Sequence, residues 1–370
     1  MKLYIYGAKS IALGICKAVQ MLYPEHKVQG FLVTSAMGNP ASLADLPVYE
    51  VATFALRTIE KEACHILIAV PENVHSQIIK TLEEFNIRNY TCITSQIEKY
   101  LMENYYIRMG QFVSLHKKEC PEKNCIPDGV DTIDNIPSME VYVAKFYKDA
   151  QLSGECSMPS WTRPIQVGAQ LTDIRVAESV DSDGENISAK NVNYCELTAL
   201  YWMWKNKLFN TATDVKEYYG LFHYRRMLDI SETDLNDIKI KNVDAILPFP
   251  MLHEPNAYEH HTRYVKDLDW QAMLQALKEL QPVYYEAMDA IFSKPYFYNY
   301  NMIIAKKQVL ADYCAWLFPI LERTEELSEP KGWERADRYI GYLGENLMTL
   351  YFMYHKDDLN IVHTGRIMLT

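Results

Sequence analysis

Nowhere does this 370-residue chain hold the roughly 18 to 20 uninterrupted apolar residues that a membrane-spanning helix needs. The opening MKLYIYGAKS has too short an apolar run for a secretory signal and turns at once into a glycine loop, so it reads as the first strand of a fold. Positive charge is scarce: 37 Lys and Arg stand against 48 Asp and Glu, a net charge of −11. That balance argues against general nucleic-acid binding, which needs a basic face to displace counterions, and against broad adhesion to an anionic bilayer. A local basic patch stays open. Cysteine is thinly spread, eight residues mostly in apolar segments, and Cys120 and Cys125 lie near each other with no second pair, a poor zinc pattern. Reduced, buried thiols in a cytoplasmic protein are the expectation. The GxSxG elbow, the P-loop and paired CxxC motifs are absent, so no hydrolase nucleophile, phosphate-cradling loop or thiol pair is announced. No internal repeat or low-complexity tract is present either.

What remains is an ordered globular composition. Hydrophobic residues make up 49% of the chain and 27 residues are Tyr, enough for two cores, and the length favours two domains. Residues 1–105 alternate strand and helix signals: LYIYGA into Gly7, a helix to about Met21, VQGFLVTS, HILIAVP, a helix from about Asn73 to Phe85, and a strand near Tyr90–Thr94. That alternation predicts a Rossmann-like α/β domain with a parallel sheet. GAKSIALG is not GxGxxG, because Lys9 stands where the second glycine would let backbone approach a pyrophosphate, so no dinucleotide is expected there, and a small nucleotide or sugar-nucleotide ligand stays open. Residues 106–139 lose periodicity and gather prolines and charges, which reads as a linker, and 140–370 form a second domain.

The most informative stretch is EYYGLFHYRRML, residues 217–228. A buried strand delivers His223, Tyr224, Arg225 and Arg226 at its C-terminal end, where open α/β sheets bind ligands. Arginine's planar fork suits phosphate or carboxylate. Adjacent strand residues point to opposite faces, so one of Arg225 and Arg226 can be purely structural. NYCELTALYWMWKN, 193–206, predicts a helix buried nearly all round, on which Glu196 must be paired. His260, His261, Asp267 and Asp269 enter a helix without HExxH spacing, so a contact to substrate or carboxylate is favoured over metal. Asn299 and Asn301 sit in aromatic strand material, and Glu345 is the lone acid at the head of an apolar helix.

Taken together, IQVGA, ENISAKNVNYCELTALYWMWKN, YYGLFHYRRM, DAILP, YNMIIAKK, YCAWLFPIL and GYLGENLMTLYF resemble a bacterial capsular and exopolysaccharide glycosyltransferase family, long known only as a domain of unknown function. The resemblance covers about residues 141–356. It implies a GT-A-like α/β domain taking a nucleotide-sugar donor, with UDP-galactofuranose one candidate, and a lipid-linked oligosaccharide or polysaccharide acceptor at the cytoplasmic face, with peripheral membrane contact open.

Such folds usually carry Asp-x-Asp after a buried strand to hold a metal on the donor diphosphate. Here that strand ends in HYRR, so the expectation is transfer without a metal cofactor, with His223 and Arg225 or Arg226 on the diphosphate. Asn191, Glu196 and His363 are further donor-site candidates. Asp181 and Asp183 carry the literal letters, and Mg or Mn held there is the fallback. Glu345 is the first choice for the base that takes the acceptor proton, with Asp267 and His261 behind it. Asn299, Asn301 and His260 are candidate sugar partners, since amides both donate and accept. The alternative from another class is a non-catalytic sugar-nucleotide-binding scaffold of polysaccharide assembly. An NAD-dependent oxidoreductase would rest on Gly7 and Gly14 alone and is set aside.

Overall fold

The computed structural model describes residues 1–57, 63–116, 136–152, 158–209 and 215–369. Cys120, Cys125 and Cys156, and most of the expected linker, lie outside them. Cys16, Cys92, Cys195 and Cys314 carry free thiols.

The first unit is built on β1 (Lys2–Tyr6), β2 (Val28–Val33), β3 (Ser42–Leu43), β4 (Leu46–Glu50), β5 (Cys64–Ile68) and β6 (Tyr90–Cys92). Their order is β3-β4-β2-β1-β5-β6, parallel except for β3 against β4. Helices α1 (Ser10–Leu22), α2 (Val51–Arg57), α3 (His75–Glu84) and α4 (Ser95–Met109) pack on it. α1 buries Leu13, Ile15, Cys16 and Val19, the apolar face its sequence spacing predicts. The chain leaves β1 toward β2 on one side and later fills β5 on the other, so the sheet reverses direction between β1 and β5. A crevice opens there at the strand C-termini. Gly7 makes the turn out of β1 at φ +119, and a Cβ at that position would stand 2.7 Å from the Ala69 carbonyl.

The second unit holds β7 (Met139–Lys145), β8 (Thr162–Gln166), β9 (Ser179–Val180), β10 (Tyr218–His223), β11 (Arg226–Leu228), β12 (Ala245–Pro248), β13 (Met251–Leu252), β14 (Tyr296–Phe297), β15 (Ile303–Lys306), β16 (Ile361–Thr364) and β17 (Arg366–Met368). Its main sheet runs β16-β12-β15-β10-β7-β8-β9, with β11 and β17 joined at the end of β10. β10 is parallel to β7 and antiparallel to β15, and Tyr218 to Phe222 are all buried. Short helices α5 (Asn191–Tyr194), α6 (Leu197–Met203), α7 (Asp234–Ile240) and α8 (Glu259–Tyr264) accompany longer ones, α9 (Asp267–Leu280), α10 (Pro282–Phe292), α11 (Lys307–Leu327) and α12 (Tyr339–Tyr354). Leu197, Leu200, Leu317, Leu343 and Leu347 belong to one buried core under these helices. A second core with Val141, Phe222 and Ile304 fills the opposite face. No helix among the described residues is long and apolar enough to cross a membrane.

Two expectations shift in detail. Residues 193–206 are not one helix: Cys195 adopts φ +51, which ends α5 and restarts the chain as α6. The supposed linker begins with the last turn of α4, and Leu115 N and His363 N exchange bonds across residues 113–115 and β16 at 2.8 and 2.7 Å. The two units are therefore packed together. Tyr106 stacks on Phe249 at 5.0 Å and donates to the Pro250 carbonyl at 2.6 Å, while Lys99 pairs with Asp229 and Arg366 with Glu98, each at 2.7 Å.

Candidate functional site

The HYRR segment is a two-residue hairpin. β10 ends at His223, the chain turns on Tyr224 and Arg225, and Arg226 begins β11 directly opposite His223. Cross-strand partners share a face. His223 and Arg226 accordingly line one cavity of about 710 Å³, and Arg225 does not. Arg225 lies over the Tyr224 ring at 5.0 Å. The Arg226 guanidinium sits over the Tyr300 ring at 4.3 Å and has no ion-pair partner among the described residues.

This cavity spans both units. Its first wall is the crevice of the parallel sheet, Gly7 to Ser10 after β1, Thr34 and Ser35 after β2, and Val70 after β5. Its second wall carries His223, Arg226, His260, Asn299, Arg338 and Glu345. Four cationic side chains (Lys9, Arg226, Arg263, Arg338) face two carboxylates (Glu196, Glu345) in a protein whose net charge is −11. Of the four, only Arg263 is in an ion pair among the described residues, with Glu259 at 3.7 Å. A surplus of unpaired cations in a concave site suits an anionic ligand.

Each carboxylate is tied to a histidine and an asparagine. Glu345 Oε2 lies 2.9 Å from His260 Nε2 and 3.5 Å from Asn299 Nδ2. The His260 ring stacks on Phe297 at 3.9 Å, which fixes its plane. Glu196 Oε1 accepts from Asn301 Nδ2 at 2.8 Å and stands 3.6 Å from His223 Nε2, which also meets the Tyr300 carbonyl at 2.5 Å. Burial opposes the charge on both members of that second couple. Their mutual attraction and hydrogen bonding outweigh it, so the Glu196 carboxyl is held below its ordinary range and His223 above its own. Asn301 also donates to the Gly341 carbonyl at 3.2 Å. The turn that aims both asparagines carries Tyr300 at φ +76 and Asn301 at φ +49. Tyr300, Cys195 (φ +51) and Arg338 (φ +66) are left-handed residues that line the cavity, a pattern of strain typical of ligand sites, whereas Asn301, a candidate sugar partner, is buried and does not line it. Arg338 Nε donates to Cys195 Sγ at 3.2 Å, and burial pushes that thiol up to about 12.

Several sequence candidates lie elsewhere, each for a physical reason. His363 is buried in β16 between Tyr298 Oη at 2.7 Å and the Val113 carbonyl at 3.3 Å, and burial drives its pKa down to about 3, so it is a neutral joint between the units. Asn191 spends its amide on the Cys195 carbonyl and Thr198 Oγ1 beneath Gly168. His261 stacks on Trp270 at 3.9 Å, and burial lowers its pKa. Asp267 is an exposed acid in the first turn of α9, where it complements the helix dipole. Asp181 is fully buried and accepts from Gly168 N, Ala169 N, Ser188 Oγ and Thr198 Oγ1. Both its oxygens are engaged, and Asp183 is exposed beyond the cavity wall. These residues do not fit the metal-binding pair that the Asp-x-Asp letters offered.

Lys9, Ser10, His253, Arg263 and Arg338 line the cavity without having been singled out for it in the sequence. The signal for the first two was the glycine loop after β1, set aside because it is no dinucleotide fingerprint. Arg338 and Arg263 are single cations in polar segments, and only the fold brings them together.

The chain is a mixed α/β protein whose nine-stranded sheet and neighbouring parallel sheet open their loops on a cationic cavity. Residues 143–357 match the family described as domain of unknown function DUF4422, and the chain belongs to that family. Among solved structures it is similar to the apo structure of WbbM, a bifunctional glycosyltransferase, with a TM-score of 0.53 and 26% identity. The similarity covers 63% of this chain and 45% of that one, so the likeness spans less than half of WbbM. No curated protein matches the chain.

Proposed function

We propose that the chain is a glycosyltransferase, taking a sugar from a nucleotide-sugar donor held in the cavity and passing it to an acceptor hydroxyl. One observation carries this reading. The Glu345–His260 couple and the unpaired guanidinium of Arg226 line the same cavity, pairing a proton acceptor with a site for a diphosphate. The acceptor oxygen attacks the anomeric carbon and forms the new glycosidic bond. The bond from that carbon to the diphosphate oxygen breaks, and its electron pair leaves with the nucleotide. The acceptor's proton passes to the Glu345 carboxylate, oriented by His260 and Asn299. Arg226, with His223 beside it biased toward its charged form by Glu196, meets the negative charge growing on the leaving group. Because Asp181 and Asp183 do not fit a metal, no step is routed through one.

The resemblance to capsular and exopolysaccharide transferases supports a UDP-linked donor, UDP-galactofuranose among the candidates, and a lipid-linked glycan acceptor at the cytoplasmic membrane face. A scaffold that only binds sugar nucleotides would need the cations but not the buried Glu345–His260 couple. The test is nucleotide release from a panel of nucleotide sugars. Wild type releases nucleotide, and Glu345→Gln slows turnover by about 10²- to 10⁴-fold while nucleotide affinity stays within about threefold. Nucleotide binding without turnover, unaltered by Glu345→Gln, is the scaffold's result.

A further inference from the structure

Four side chains of the cavity wall stand in a row that crosses from the first unit to the proposed base. Ser10, the first residue of α1, puts its Oγ 3.3 Å from His253 Nε2. His253 follows β13 and is only 4% exposed. Its Nδ1 meets the side chain of Asn299, and that nitrogen and Asn299 Oδ1 are both buried with no other partner. Asn299 Nδ2 lies in turn 3.5 Å from Glu345 Oε2. All four residues line the cavity.

Each link has one sense. As the proposed base, Glu345 starts as a carboxylate, which only accepts, so Asn299 must show it the amide nitrogen. Oδ1 is left for His253, and an amide oxygen also only accepts, so Nδ1 must carry the proton. Burial first, with His260 and Arg263 nearby, drives the His253 pKa down to about 3, so the ring is neutral and holds a single proton. Nε2 is then bare and accepts from the Ser10 hydroxyl, which rotates to suit. Reversing any one link would set two acceptors or two donors face to face in a buried place. The ring itself is held firmly. It packs edge-on to Phe297 at 5.3 Å and to His260 at 5.7 Å, and its backbone amide donates to the Pro295 carbonyl at 2.8 Å. The next residue, Glu254, accepts from the Ala44 amide of the first unit.

We infer that His253 is a positioning residue of the transfer site, joining the Ser10 hydroxyl through Asn299 to the Glu345 carboxylate, so that the first unit helps to aim the base. The inference rests on the transfer reading and deepens it.

Two measurements on the full chain test it. NMR with isotope-labelled histidine nitrogens reads the tautomer, His253 being assigned by the signal lost in His253→Asn. The expected result is a neutral ring with its proton on Nδ1 and an Nε2 resonance that moves in Ser10→Ala. Nucleotide release is then followed in His253→Phe, which keeps a packed ring without nitrogens, and in His253→Asn, whose amide can still donate to Asn299. In His253→Phe kcat should fall about 10- to 100-fold with donor KM and UDP affinity within about threefold, and His253→Asn should stay within about fivefold of wild type. Thermal denaturation verifies folding, and if His253→Phe does not fold, the spectra of wild type and Ser10→Ala decide. A proton on Nε2, an Nε2 resonance indifferent to Ser10→Ala, or equal losses of kcat in the two His253 variants overturns the inference. Where Glu345→Gln still slows turnover, that outcome leaves the transfer reading standing. The expected tautomer and its answer to Ser10→Ala, in a protein that turns over no nucleotide sugar, uphold the chain of hydrogen bonds and overturn the transfer reading.

Discussion

Glu196 and His223 show how one residue pair converts burial into charge. The His223 pKa is raised above its ordinary value, so its stabilising contribution is complete below the unfolded pKa and is lost as pH rises through the folded one. Glu196 is lowered, so its contribution is present above the unfolded carboxylate pKa and lost as pH falls through the folded one. The pair stabilises most in the window between these limits, on the acid side of neutrality. Glu196→Gln should therefore cost roughly 1–3 kcal/mol near pH 5.5 and much less above pH 8, read from denaturant midpoints across pH. Asp181 makes a contrasting prediction. Asp181→Asn leaves four buried donors facing an amide, so it should cost about 2–4 kcal/mol of stability. UDP affinity of the folded fraction should not change, and a metal-dependent loss of UDP binding in that variant would restore the Asp-x-Asp reading.

At the scale of elements, the sequence showed the strands and long helices because their periodicities are local. The apolar run of β10 and the faces of α1 and α12 are examples. It did not show the hairpin at Tyr224–Arg225, since nothing in HYRR marks a two-residue turn with glycine or asparagine. That turn decides which arginine faces the cavity. Nor did the helical spacing of 193–206 show the break at Cys195, a backbone choice stabilised by tertiary packing. Glu345 and Asn299 were legible as isolated polar groups in apolar segments. That Glu345 meets His260, and that Glu196 meets Asn301 and His223, joins segments far apart in sequence and needed the fold. The packing of α12 against α6 is itself testable. A Cβ at Gly344 would stand 2.6 Å from Leu197 Cδ1, a fully buried side chain with no room to withdraw. Gly344→Ala should destabilise by about 1–3 kcal/mol and lower nucleotide affinity by displacing Glu196, checked by melting and titration together.

For the whole molecule, the boundary between the units is an aromatic interface and not a tether. Tyr106, Phe112, Phe249, Tyr296 and His363 pack ring to ring across it, and the cavity opens along its edge. The two units should therefore unfold in one calorimetric transition. Phe249→Ala should lower stability by about 3–5 kcal/mol and weaken nucleotide binding even though it removes no cavity residue. Two separate transitions in wild type would contradict a shared site. The composite cavity was illegible in the sequence because Lys9 lies more than two hundred residues from Arg226, Arg263 and Arg338, which line it with Lys9.

The central claim, that the cavity holds a nucleotide diphosphate against Arg226, is tested most directly by titrating UDP with EDTA present into wild type, Arg225→Ala and Arg226→Ala. Arg226→Ala should lose at least about tenfold in affinity while Arg225→Ala stays within about twofold of wild type. Equal losses in both variants, or undiminished binding in Arg226→Ala, would contradict the account.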